Sequence, residues 1–73
     1  MKTSDITDKM VVEAAIEFQK DRSDFITDIL QKKTGAPIKI VIAAMERADH
    51  RGLIDYGVSL RTAWPTDKGL SIL

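Results

Sequence analysis

Hydrophobic residues in this chain recur first with a helical period and then with a shorter one. Met10, Val11, Ala14, Ala15 and Phe18 fall at i, i+1, i+4, i+5 and i+8, and Val12 and Ile16 widen the stripe. The pattern predicts a first helix over about residues 5–20. Thr3, Ser4 and Thr7 are its candidate caps, with Asp5 and Asp8 suited to the first turn. Phe25, Ile26, Ile29 and Leu30 predict a second helix over 23–34. Ser23 stands at its cap position, Lys32 and Lys33 lie in the last turn, and Gly35 fits a left-handed stop. A third helix is predicted over 37–51, opened by Pro37 and ended by Gly52. Its Pro37, Val41, Ala44, Met45 and Ala48 share one face, while Lys39, Ala43, Glu46, Arg47 and His50 gather on the other. The connection between the second and third helices is short, about three residues around Gly35, as in a helix-turn-helix.

Beyond Gly52 the period changes, and residues 53–64 read as a hairpin. Strands over 53–56 and 61–64 flank a turn at 57–60. Pro65 is expected to end the second strand, because proline cannot donate to a ladder. Residues 66–69 (Thr-Asp-Lys-Gly) read as a cap and turn, and Leu70, Ile72 and Leu73 as an apolar end that closes the core. The expectation is a mainly α fold with a small β-hairpin, in one domain spanning residues 1–73.

Composition narrows the function. The chain has 73 residues, 44% of them hydrophobic and 30% charged, which is globular rather than disordered. It has no cysteine and one histidine, so neither a disulfide framework nor a multi-histidine metal site can form. The net charge is zero, but unevenly spread. Residues 1–31 carry four basic and seven acidic side chains; residues 32–73 carry seven basic and four acidic. An anionic partner is therefore sought on the second half. No secretory signal or apolar run of spanning length is visible, so a cytoplasmic location is expected. His50 beside Asp49 has no partnered nucleophile, and neighbours on a helix point apart. No phosphate loop or carboxylate pair is present, so neither an enzyme activity nor a cofactor is expected.

Two segments carry a family resemblance. Residues 45–54, Met-Glu-Arg-Ala-Asp-His-Arg-Gly-Leu-Ile, resemble the end of a recognition helix running into the first wing strand of a bacterial winged helix-turn-helix domain. Residues 64–69, Trp-Pro-Thr-Asp-Lys-Gly, are similar to the segment after the wing in regulators of the multiple-antibiotic-resistance (MarR-like) family, with Pro65 in place of the usual leucine. Residues 8–18, 29–33 and 44–46 are similar, in order, to the gamma domain of the FtsK DNA translocase. That family starts its recognition helix with a polar segment, whereas this chain has Gly35, Ala36, Pro37 and Ile38, so its base-reading residues do not carry over. The resemblance implies a three-helix winged helix-turn-helix and DNA binding as a class.

Double-stranded DNA is accordingly the expected partner of a small transcriptional regulator. The third helix is expected in the major groove and the hairpin on the backbone. Lys32, Lys33, Arg61 and Lys68 are the expected phosphate contacts, with Ser59 on the wing. Lys39 and Arg47 are the expected base readers, and Ala43 can meet a thymine methyl. The face has no Asn or Gln for adenine, which points to modest specificity or to a dimer. Met10, Val12, Ile16, Ile40 and Ile42 form a candidate surface for a second copy or a protein partner. The alternative expectation is thus a protein-interaction adapter on the same fold. Trp64 either anchors the hairpin or stacks on a base.

Overall fold

A computed structural model describes residues 2–73, apart from the side chain of Leu60. The first helix begins later than the periodicity suggests. Thr3–Asp5 form a separate 3-10 turn, in which the Asp5 carboxylate accepts from the Lys2 N–H at 2.8 Å. The chain then runs extended through fully buried Ile6 to Thr7. Thr7 caps helix α1 (Asp8–Lys20), its hydroxyl accepting from the Met10 N–H at 3.2 Å.

Helix α1 is the axis of the molecule. Its Val11, Val12, Ala14, Ala15 and Phe18 are buried, and Met10 and Ile16 pack half-buried at the core edge. The wide apolar stripe is used because helix α2 (Ile26–Thr34), helix α3 (Ile38–His50) and strand β2 (Trp64–Pro65) all pack on α1. Val12 is 0% exposed, so it belongs to the core and not to an interaction surface.

Helix α2 starts at Ile26 with Phe25 at the cap position, not at Ser23. Asp21 explains the shift. Its carboxylate accepts from both the hydroxyl (2.6 Å) and the N–H (3.0 Å) of Ser23, a local turn that competes with helix entry. These two bonds also hold the Asp21 carboxyl below its usual pKa. Gly35 ends α2 at φ 71°, its N–H donating to the Gln31 carbonyl at 2.8 Å. Pro37 is the N-cap of α3 rather than its first helical residue, and its carbonyl accepts from the Val41 N–H.

Helix α3 buries Val41, Ala44, Met45 and Ala48, the face the sequence indicates, while Pro37 itself is exposed. It closes in a Schellman motif. The Leu53 N–H donates to the Ala48 carbonyl (3.0 Å) and the Gly52 N–H to the Asp49 carbonyl (2.9 Å), with Gly52 at φ 74°.

The hairpin is much smaller than expected. Strand β1 (Ile54–Asp55) pairs antiparallel with β2, with Ile54 opposite Pro65 and Asp55 opposite Trp64. Pro65 is the last residue of β2 and ends the strand as expected, while still pairing opposite Ile54, as an edge strand tolerates. The returning strand, expected over 61–64, is present only as β2; a 3-10 turn over Leu60–Thr62 takes up the first part of its expected span. Ser59 builds that turn: its hydroxyl accepts from the Arg61 N–H (3.2 Å), and its carbonyl accepts from the Thr62 N–H and hydroxyl (both 3.1 Å). The turn packs against α2 and α3.

A short helix α4 (Asp67–Ser71) follows. Thr66 caps it, accepting from the Gly69 N–H (3.0 Å) while donating its hydroxyl to the Gly52 carbonyl (2.6 Å). Leu70, Ile72 and Leu73 remain half-exposed instead of closing the core; the residue of α4 turned inward is buried Gly69, against the Leu53 backbone just before β1. The result is a mainly α fold with a small β-hairpin, a three-helix winged helix-turn-helix with a reduced wing. Among the described residues no helix is long and apolar enough to cross a membrane.

Candidate nucleic-acid interface

The solvent face of α3 follows from its buried face. With Val41, Ala44, Met45 and Ala48 turned inward, Lys39, Glu46 and His50 are exposed along one line, with half-buried Ala43 between them. Ile42 and Asp49 flank this line on one side. On the other side Ile40 packs half-buried against the core. Lys39 stands at the N-terminal end of the face, directly after the turn.

Arg47 is not part of it. Its side chain turns toward the N-terminal segment, where Nε donates to Asp8 Oδ1 at 2.9 Å and Nη1 to the Thr3 carbonyl at 3.2 Å. Nη2 donates to the Ile6 carbonyl. Arg51 donates to the other Asp8 oxygen. Three backbone and carboxylate acceptors on one guanidinium leave no free fork for a base, so the base-reading role expected for Arg47 is corrected to a structural one. The cluster ties the 3-10 turn and the start of α1 to the end of α3.

Asp8 is the anionic centre of this cluster. Burial alone would raise its pKa, but the hydrogen bonds and charges of Arg51 and Arg47 outweigh that and hold it below the ordinary 3.8. A carboxyl lowered by folding contributes stability that is present above the unfolded pKa and lost as pH falls through the folded one. The urea midpoint is therefore expected to fall more steeply below pH ~4 in the wild type than in Asp8→Asn. Parallel pH curves for the two proteins would remove Asp8 from the acid response.

The two lysines before the turn are also engaged. Lys32 Nζ lies 2.7 Å from Asp24 and Lys33 Nζ 2.8 Å from Glu17. The hydrogen bond and charge of Asp24 raise the Lys32 pKa. All four ion pairs among the described residues join an acid of residues 1–31 to a base of residues 32–73. The charge asymmetry of the sequence is thus largely compensated inside the fold. Lys39, Arg61 and Lys68 are exposed and lie outside every ion pair among the described residues.

On the wing, Ser59 is half-buried and spends its hydroxyl on its own turn, while Arg61 points from that turn to solvent. The wing also exposes apolar surface: Val58 is 98% exposed, Trp64 41% and Tyr56 38%. Trp64 is half outside the core, its ring edge beside Gly57. Beyond the end of α1, Arg22 lies over the Phe18 ring (5.1 Å to the centroid), next to half-exposed Phe25. His50 is exposed on the α3 face, and among the described residues no three His, Asp or Glu side chains converge as metal ligands do.

The structure therefore leaves Lys39, Ala43, Arg61 and Lys68 available, pairs Lys32 and Lys33, and withdraws Arg47 and Val12. No protein-family model, curated protein sequence or solved structure matches the chain.

Proposed function

We propose that the protein binds double-stranded DNA, as a small transcriptional regulator, with α3 in the major groove and the wing on the backbone. One observation carries the reading. The helix after a tight inter-helix turn presents an open face led by Lys39, and Arg61 and Lys68, on elements that follow it, are exposed and uncompensated. Three cations meeting phosphate and groove edges supply affinity with little sequence information. The face offers no Asn or Gln, and Glu46 sits in its middle, so specificity is modest. The reading involves no catalysis or cofactor and places the protein in the cytoplasm.

Fluorescence anisotropy of a labelled mixed-sequence duplex tests it. Three phosphate contacts predict a slope of log Kobs against log salt near −2.7, with a Kd on the order of 10⁻⁵ M at low salt. Lys39→Ala is expected to reduce that slope by about one contact. Absence of binding at low salt overturns the proposal.

A second reading, a protein-interaction adapter, is favoured by a separate observation. Tyr56, Val58, Trp64, Leu70, Ile72 and Leu73 are all half-exposed or more, and all lie in the last 18 residues of the chain. Recovery of a stoichiometric complex that Val58→Ser and Trp64→Ser abolish would support it.

A further inference from the structure

We infer that Glu17 and Asp24 act as built-in competitors of DNA phosphate, holding Lys32 and Lys33 in reserve and setting the affinity of the interface; this rests on the DNA-binding reading above. Lys32 and Lys33 occupy the last turn of α2, immediately before the turn that leads into α3 and Lys39. In a helix-turn-helix that places α3 in the groove, cations at this junction lie near the flanking backbone. Each is met instead by a carboxylate from the acidic half of the chain, at 2.7 and 2.8 Å. Both pairs are solvent-exposed: the lysine side chains are 69% and 47% exposed. Exposed pairs of this kind are weak and open readily, so a phosphate can displace the carboxylate. The displaced acid then stays beside the phosphate and opposes it, which lowers the net gain of each contact. The arrangement gives a neutral molecule that releases DNA easily. Removing either carboxylate converts a compensated lysine into a free phosphate ligand.

The same anisotropy titration tests this with Glu17→Gln, Asp24→Asn and the double variant. Glu13→Gln is the control for Glu17→Gln: it makes the same charge change on the same helix, at an exposed position outside every ion pair among the described residues. The double variant is expected to bind mixed duplex about tenfold more tightly at low salt, with the salt slope steepened by up to about 1.8 as two phosphate contacts are added. Adding Lys32→Ala and Lys33→Ala to the double variant is expected to reverse both effects. Glu13→Gln is expected to leave the slope unchanged. Circular dichroism melts confirm that each variant stays folded. If wild type binds and the double variant shows the same affinity and slope, or if Glu13→Gln matches Glu17→Gln, the inference is overturned and DNA binding stands. If neither wild type nor the double variant binds duplex at low salt, both fall.

Discussion

Gly69→Ala is expected to cost about 3 kcal/mol or more, a large share of the on the order of 5 kcal/mol available to a chain this small. A Cβ at Gly69 would lie 2.0 Å from the Leu53 carbonyl oxygen and 3.0 Å from its carbon. Both are backbone atoms, so no side chain can swing away. Helix α4 must lift off the Gly52–Leu53 backbone that precedes β1, and doing so strains the bonds of Thr66 to that segment: its N–H to the Leu53 carbonyl at 3.1 Å and its hydroxyl to the Gly52 carbonyl at 2.6 Å. In a domain of this size each kcal/mol moves the melting temperature by roughly 4–8 °C, so a loss of roughly 15 °C is expected in a far-ultraviolet melt. Gly57→Ala is the matched control, because a Cβ there meets only the Trp64 ring edge at 3.8 Å. Equal melts for the two variants would mean that Gly69 does not pack on the Leu53 backbone as described.

Arg47→Ala separates two roles that a helical wheel cannot. A base-reading arginine loses DNA affinity on truncation and little stability. The position seen here predicts the reverse. Removing the guanidinium leaves the Thr3 and Ile6 carbonyls without their charged donor and leaves Asp8 with Arg51 alone. Hydrogen bonds to charged groups contribute about 1.5–3 kcal/mol each, and partial exposure of Arg47 reduces the sum, giving an expected loss of about 2–3 kcal/mol. Affinity for duplex DNA, measured well below the variant's melting temperature, is expected to stay within about twofold. A stable Arg47→Ala protein that no longer binds DNA would return Arg47 to the recognition face.

Local chemistry was legible in the sequence, and long-range chemistry was not. The Arg-Gly-Leu-Ile segment shows its stop directly: Gly52 takes the left-handed position and Leu53 completes the Schellman bonds. Thr66 reads as a cap, but the close approach that makes Gly69 necessary depends on Leu53, 16 residues earlier. Ser23 carries a cap signal that Asp21, two residues before it, intercepts. The hairpin shrank because Ser59 stabilises a 3-10 turn where alternating residues suggested a strand. The wide stripe of α1 suggested a spare face because the periodicity does not reveal that α2, α3 and β2 all pack on that helix. Arg47 and Asp8 are 39 residues apart, and Lys33 and Glu17 are 16 apart, so nothing local announces either pair. The compensation of the basic half by the acidic half, visible beforehand only as an asymmetry, emerges from the packing of the helices.

Binding of duplex DNA through α3 and the wing is tested most directly by backbone amide chemical-shift mapping during titration with a mixed-sequence duplex. Binding as proposed shifts Lys39, Ala43, Glu46 and His50 together with Arg61 and Lys68, and leaves the amides around Arg47's N-terminal partners Thr3 and Ile6 unmoved. No shifts at low salt, or shifts confined to Tyr56, Val58, Trp64 and the residues of α4, would contradict it.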